Sequence, residues 1–185
     1  MRFNKHWTVE GKHAFLGASK YHWIRYDLDK MKRIWENKFK SEEGTRKHNL
    51  AAFCIREKVR LEDNGSTLSR YVNDAIGFKM TPEQVLFYND DCFGTADAIC
   101  FRQGILRIHD LKTGVHPGAQ DQIMIYFALF CLEYEVNPYD IEMIGRIYQL
   151  DDFGEFVAEP SEVKEIMNTI EQFTKEIDAM RAVML

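Results

Sequence analysis

The spacing of apolar residues predicts helices in the first part of the chain. In DLDKMKRIWENKFK and in SEEGTRKHNLAAFCIREKVRL, apolar side chains recur at three- and four-residue intervals. Ser41 begins the second stretch and is followed by acids, so we expect it to cap a separate helix there. The next segment, DNGSTLSRYVNDAIGF, mixes turn residues with a short helical pattern.

The middle of the chain changes to runs of strand length. These are QVLFY and the two apolar runs of GTADAICFRQGILRIHDLKTG, residues 94–114, where Gln103-Gly104 indicates a tight hairpin turn. AQDQIMIYFALFCLEY is too long for a buried strand and predicts a buried helix, and DIEMIGRIYQL follows as a strand. An amphipathic helix closes the chain after Pro160, with apolar positions at Val163, Ile166, Met167, Ile170, Phe173 and Ile177. This order predicts an α/β fold with a small mixed central sheet flanked by helices.

The hairpin carries acids in otherwise apolar strands. With the turn at Gln103-Gly104, Asp97 lies opposite Asp110, and like charges that close destabilise a sheet. Lys112 shares the face of Asp110, whereas Leu111 points away and offers its backbone carbonyl. Two carboxylates, a carbonyl and an ammonium suit a hard divalent cation such as Mg²⁺. The alternative is an ordinary hairpin with a Lys–Asp surface pair, and a β-bulge would break this register.

Composition favours one soluble domain over residues 1–185. Hydrophobic residues make up 45% of the chain, and no repeat or linker divides it. The longest apolar run, IMIYFALFCL, has ten residues, which is too short to span a bilayer, and no signal peptide is evident. We therefore expect an intracellular protein without membrane association. Its four cysteines form no C-x-x-C pair, which argues against a zinc ribbon or a disulfide framework.

Charge divides the chain into two parts. Residues 1–79, mainly helical, hold 17 Lys and Arg against 10 Asp and Glu, whereas residues 80–185 hold 7 against 19. A basic part joined to an acidic body is typical of proteins that bind a polyanion such as DNA. Solvated helix faces would give the same count, so both interpretations stay open.

Four short motifs occur in a recognisable order. They are GTRKH ending at His48, GTAD ending at Asp97, DLK from Asp110 to Lys112, and QIMIY from Gln122 to Tyr126. Alone, each is weak: a helical histidine is usually structural, and a Gln and Tyr at i and i+4 are usually a buried polar pair. Together they resemble the RecB-like branch of the PD-(D/E)xK nucleases, which is related to lambda-type exonucleases and to CRISPR-associated nucleases.

The resemblance implies a restriction-endonuclease-like core and a metal-dependent deoxyribonuclease. It implies one or two Mg²⁺ or Mn²⁺ ions, with His48, Asp97, Asp110 and the Leu111 carbonyl as ligands. Lys112 would act on the attacking water and on the phosphate charge, and Gln122 and Tyr126 would hold Lys112 or a phosphate. The implied substrate is single-stranded or end-containing DNA, degraded as by an exonuclease. The alternative is a catalytically weak DNA-binding or accessory subunit on the same scaffold.

The likeness extends to small phage-encoded members through LGASKYHWI, YVNDAIGF and LRIHDLKTG. It implies work in recombination, replication or repair, with a protein partner from those processes, in the cytoplasm of a bacterial host. Relatives occur as monomers and as toroidal rings. Many CRISPR-associated members bind an iron–sulfur cluster through one early cysteine and three late ones, but here only Cys131 follows Lys112, so no cluster is expected.

Further residues carry weaker expectations. Thr113 and the following GVHPG are candidates for contacts with the DNA backbone, and His109 is expected on the opposite sheet face in a structural role. Aromatic residues of the basic part include candidates for a wedge that stacks on a base. These are Tyr21, Trp23, Tyr26 and Trp35, and core packing is the competing interpretation.

Overall fold

A computed structural model describes residues 5–9, 11–114 and 120–184 of the chain. It divides into two compact units, residues 1–45 and 46–185. The first unit contains two short 3₁₀ helices, Trp7–Val9 and Ala18–Arg25, and the start of helix α1, Leu28–Glu57. The single nuclease domain expected over residues 1–185 stays a prediction.

Helix α1 is continuous where the sequence predicts two helices. Asp27 precedes it, and the Asp27 carboxylate accepts a hydrogen bond from the backbone N–H of Lys30 at 2.7 Å. Ser41 lies inside the helix, where its carbonyl accepts the hydroxyl of Thr45 at 3.1 Å. The predicted cap at Ser41 is therefore wrong. A single helical glycine, Gly44, is the only Gly or Pro in α1, and it costs only about 1 kcal/mol relative to alanine.

The second unit is built on a five-stranded sheet in which the strands follow their order in the chain. They are β1, Thr81–Asn89; β2, Cys92–Arg102; β3, Ile105–Leu111; β4, Glu142–Gln149; and β5, Asp152–Val157. Neighbouring strands are antiparallel except β3 and β4, which are parallel. The predicted α/β class with a small mixed sheet is confirmed. Strand β5 was not predicted, because this largely exposed edge strand shows little apolar alternation.

Helices cover both faces of the sheet. They are α2, Thr67–Gly77; α3, Gln120–Glu133; and α4, Pro160–Met184, with a short 3₁₀ helix at Pro138–Asp140. Helices α3 and α4 bury one apolar cluster, and α2 with the last turns of α1 buries the other. In the predicted apolar stripe of α4, Val163, Met167 and Ile170 are buried and Ile166 is partly buried, whereas Phe173 and Ile177 are exposed. Among the helices of the described ranges, none has the length and apolar character needed to cross a membrane.

The hairpin register agrees with the prediction. Backbone pairs run from Arg102–Ile105 to Ala98–His109, and the turn residues Gln103 and Gly104 have φ of 52° and 77°. Positive φ at both central residues is the signature of the type I′ turn, whose twist matches that of the flanking strands. This turn fixes which residues of β2 and β3 lie beside each other at the far end of the hairpin.

His109 lies on the face of the sheet opposite to Asp110, as predicted. It is fully buried, and its Nδ1 lies 3.3 Å from the hydroxyl of Tyr148, which donates to the Asp74 carboxylate at 2.7 Å. Burial, with nearby Arg146 and Arg107, lowers the pKa of His109 to about 3. The imidazole is therefore neutral and belongs to the packing between the sheet and α2.

Gly145 in β4 offers a test of the packing on the other face of the sheet, against α3. A methyl group there would lie 2.5 Å from the ring of Phe156 and 3.0 Å from the side chain of Ile123. We expect Gly145→Ala to lower the free energy of unfolding in urea by about 1–3 kcal/mol through overpacking. Gly154→Ala is the matched control, because a methyl group at Gly154 meets nothing within 4 Å, and its effect should stay within about 0.5 kcal/mol. Equal stability of the two variants would contradict the packing described here.

Candidate metal and catalytic site

Strand β2 changes faces at Asp97. Ala96 belongs to the cluster under α3 and α4, but Ala98, two residues later, belongs to the cluster under α1 and α2. Residues two apart in a regular strand share a face, so the alternation slips by one at Asp97. In the neighbouring strand, Glu83 has φ of 52°, and the backbone pairing passes from Pro82–Ala98 to Gln84–Ala96 without a Glu83–Asp97 pair. Such irregularities redirect side chains and are frequent next to active sites.

The Asp97 carboxylate takes over a main-chain contact between β2 and β3. Regular pairing of these strands ends at Ala98–His109. One step further, Asp97 Oδ2 accepts the backbone N–H of Leu111 at 2.8 Å. The predicted pairing of Asp97 with Asp110 is therefore wrong, because the ladder ends one pair earlier and β2 is irregular at Asp97. Leu111 contacts Asp97 through its N–H, and its carbonyl as a metal ligand stays a prediction.

His48 and Glu83 converge on Asp97. Among the described residues, a ligand atom from each of the three lies within 4.8 Å of the other two. His48 Nδ1 is 3.5 Å from Asp97 Oδ2, and this contact raises the pKa of His48. Partial burial and the charge of Asp97 raise the pKa of Glu83. The structure therefore brings two of the predicted ligands together and adds Glu83, which was not predicted.

Asp110 is the buried carboxylate of the site. Its side chain is 3% exposed, and Lys112 Nζ lies 3.1 Å from Oδ1 and 3.0 Å from Oδ2. Only the Oδ1 contact has hydrogen-bond geometry, so Oδ2 is buried without a hydrogen-bond partner. Burial and the nearby charge of Asp97 raise the pKa of Asp110, and Lys112 opposes that shift. Asp110 lies outside the group formed by His48, Glu83 and Asp97.

Helix α3 holds Lys112 through a chain of hydrogen bonds. Lys112 Nζ donates to Gln122 Oε1 at 2.7 Å, and Gln122 Nε2 donates to the hydroxyl of Tyr126 at 3.1 Å. That hydroxyl donates to the carbonyl of Thr95 in β2 at 2.7 Å. The Tyr126 ring packs directly against Gly94, where a Cβ would lie 2.8 Å from Cε1. Gln122 thus contacts Lys112, and Tyr126 links Gln122 to the sheet. This arrangement agrees with the predicted role of holding Lys112, and their predicted role of holding a phosphate stays a prediction.

These side chains fit a hard divalent cation. Carboxylate oxygens are preferred by Mg²⁺ and Mn²⁺, and the imidazole adds a nitrogen ligand that favours Mn²⁺. The buried Oδ2 of Asp110 has the ion-pair contact with Lys112 but no hydrogen-bond partner, so it can also accept a metal ion. His48 and Asp97 are partly exposed, 30% and 16%, so an ion and a substrate can reach them.

Candidate DNA-contacting residues lie in both units. Thr113 and Gly114 follow Lys112, but the rest of GVHPG lies outside the described residues. In the first unit, Trp23 and Tyr26 line a cavity of about 320 Å³ together with Lys20 and Lys38. Tyr21 is 54% exposed, and Trp35 is 49% exposed while its ring packs edge-on against Phe15. These aromatic residues therefore combine partial packing with access for a ligand.

Glu83 is the site residue that the sequence analysis missed. An acid after Pro82 at the start of a strand looks like a surface residue. The available signal lies in the pairing of β1 with β2, whose register places Glu83 beside Asp97. Asp90 and Asp91 form a tight turn between β1 and β2, but the pairing shifts by one residue between Phe87 and Asn89, so the turn alone does not place Glu83 beside Asp97.

No model of a protein family matches this chain, and no curated protein or solved structure matches it either.

Glu83 gives a direct test of the ligand group. Replacing its carboxylate with a neutral amide in Glu83→Gln should weaken Mn²⁺ binding by at least about tenfold, since even partners of metal ligands contribute about 10- to 100-fold. The measurement is calorimetric titration of the protein with Mn²⁺. Glu142→Gln, at an exposed acid of β4 outside the group, is the control and should bind Mn²⁺ like the wild type. The same affinity in both variants would remove Glu83 from the site.

Proposed function

We propose that the protein is a divalent-metal-dependent DNA nuclease of the RecB-like type, acting as an exonuclease on DNA ends. The observation that carries the proposal is the convergence of His48, Glu83 and Asp97 near the buried Asp110–Lys112 pair. Phosphodiester hydrolysis needs an activated water and positive charge at the phosphate, and a bound cation beside a fixed ammonium can supply both. The α/β fold agrees with the restriction-endonuclease-like core implied by the motifs, although fold alone does not define an activity.

The metal site would be formed by residues from four elements. His48 from α1, Glu83 from β1, Asp97 from β2 and Asp110 from β3 are the side chains that would hold one or two Mg²⁺ or Mn²⁺ ions. When bound, such ions supply charge neutralisation at the phosphate and a more acidic water. His48 must be neutral to act as a ligand, so binding of a cation displaces any proton that Asp97 stabilises on it.

Lys112 is positioned for the reacting phosphate. Its ammonium has three N–H groups, and the contacts to Asp110 and Gln122 use two of them. The third would donate to the attacking water or to a phosphate oxygen, on which negative charge grows during the reaction. Gln122 and Tyr126 act on Lys112 and are positioning residues, because their hydrogen bonds run from Lys112 to the β2 backbone.

We also propose how the protein binds DNA and in which process it acts. The basic N-terminal residues would bind the DNA backbone, and the aromatic cavity of the first unit would contact bases of a single strand or an end. We place the activity in phage-type recombination, replication or repair, with a protein partner from these processes, in the cytoplasm of a bacterial host. No role is proposed for an iron–sulfur cluster. The competing function is a DNA-binding or accessory subunit that lacks significant cleavage.

Lys112→Ala separates the enzyme from the accessory subunit. The variant removes the ammonium and leaves the proposed metal ligands in place, so cleavage should fall by about 10²- to 10³-fold. DNA and Mn²⁺ should still bind, whereas Asp97→Asn should lose both Mn²⁺ binding and cleavage. The assay uses end-labelled linear, end-blocked and circular DNA with Mg²⁺, Mn²⁺ or EDTA.

The same assay identifies the competing function. If the wild type binds DNA but cleaves none of these substrates with either metal, and Lys112→Ala behaves identically, the accessory subunit is correct. Selective degradation of linear over circular DNA supports an exonuclease, and cleavage of the circle would instead indicate an endonuclease.

DNA binding by the basic part has its own test. Lys20 is exposed at the aromatic cavity, so Lys20→Glu should weaken DNA binding several-fold and reduce the dependence of log affinity on log salt by about one unit. Mn²⁺ affinity should not change. Lys175→Glu introduces the same charge change on the exposed face of α4 and should leave DNA affinity within about twofold of the wild type. Equal losses in both variants would mean that net charge, not the cavity, attracts DNA.

A further inference from the structure

A second cavity, of about 430 Å³, lies beside Lys112 in the unit formed by residues 46–185. Its lining includes Lys47, Lys112 and Thr113, the apolar side chains of Leu68, Leu111 and Leu150, and Asp151, whose carboxylate is hydrogen-bonded to Thr67. The volume is within the range of pockets that hold small organic ligands. Cations next to an apolar wall match a molecule with a charged part and a ring-bearing part.

Leu150 enters this cavity from a strained turn. Gln149 pairs with Asp152, so Leu150 and Asp151 are the two central residues of the β4–β5 turn, with φ of 53° and 58°. Turns of this kind favour Asn or Gly, because a side chain such as that of leucine is strained at positive φ. Leu150 is also 70% exposed, so the fold gains little from its apolar side chain. Strain without a packing benefit is typical of residues that serve a ligand.

Helix α2 holds the turn in place. The Asp151 carboxylate accepts the backbone N–H of Thr67 at 2.8 Å and the Thr67 hydroxyl at 3.1 Å. The N–H of Asp151 donates back to the Thr67 hydroxyl at 2.7 Å. These hydrogen bonds lower the pKa of Asp151, so the carboxylate stays ionised at neutral pH. They fix the position of Leu150 and place the Asp151 carboxylate on the first amide of α2.

We propose that this cavity is a nucleoside subsite, in which Leu150 contacts the base or sugar of the nucleotide next to the scissile phosphate. The proposal rests on the nuclease function proposed above. The position of Lys112 supports the proposal, because this residue belongs both to the candidate catalytic site and to the wall of the cavity. A DNA strand with its scissile phosphate at Lys112 would place the adjacent nucleoside in the cavity. Lys47 and Thr113 face the phosphate and sugar, and the leucine side chains offer the base an apolar surface. Leucine is one of the residues that nucleic-acid-binding proteins insert against bases.

Leu150→Asn tests the subsite, because it should relieve the backbone strain of the turn and at the same time remove the apolar contact with the ligand. Asparagine tolerates positive φ, so the variant should be as stable as the wild type or more stable in urea. Loss of the apolar contact should raise KM for a short 5′-labelled oligonucleotide by about tenfold in Mn²⁺, the size of effect that small changes in an apolar pocket produce. The oligonucleotide Kd in Ca²⁺, measured by fluorescence anisotropy, should rise in parallel, and Mn²⁺ affinity should not change.

Gln103→Asn is the matched control. Gln103 is the first central residue of the two-residue turn between β2 and β3, at φ of 52°, and does not line the cavity. This variant should share any gain in stability and keep the KM and Kd of the wild type. Unchanged KM and Kd in Leu150→Asn, or a marked loss of its stability, would overturn the subsite while leaving the nuclease proposal intact. If the wild type itself shows no metal-dependent cleavage, the nuclease proposal fails, and the Kd comparison alone decides whether the cavity binds nucleic acid.

Discussion

The hydrogen bond between the Asp97 carboxylate and the Leu111 N–H is the contact on which the site depends. It forms where the β2–β3 ladder ends and where β2 changes faces between Ala96 and Ala98. In a regular ladder the Leu111 N–H would seek a main-chain carbonyl, and here a carboxylate satisfies it. This hydrogen bond fixes one oxygen of Asp97 and positions the carboxylate near His48 and Glu83.

The site combines groups supported by the two core clusters. His48 comes from α1, which packs with α2 on one face, whereas Lys112 is held by α3 from the other. Asp110 links them, since its buried carboxylate contacts Lys112 and its pKa is raised by the charge of Asp97. Burial of an acid beside another acid is unfavourable unless positive charge offsets it. Lys112 supplies part of that charge, and a bound cation would supply the rest.

The sequence predicted the parts that depend on local pattern. The Gln103-Gly104 turn fixed the hairpin register, and the alternation around it placed Asp110 and Lys112 on one face. Features set by tertiary contacts were missed. Glu83 matters through strand pairing with β2, and β5 is an exposed edge strand with no clear apolar pattern. Ser41 resembled a helix cap, but nothing before it stops the helix that begins at Leu28.

The central claim is that one cation-binding centre forms around Asp97, and anomalous diffraction from crystals soaked in Mn²⁺ tests it most directly. The account predicts a peak within about 2.0–2.5 Å of carboxylate oxygens of Asp97 and Glu83 and near His48 Nδ1 or Nε2, with Asp110 Oδ2 turned toward it. A peak bound elsewhere, or no peak at this group under saturating Mn²⁺, would contradict the account.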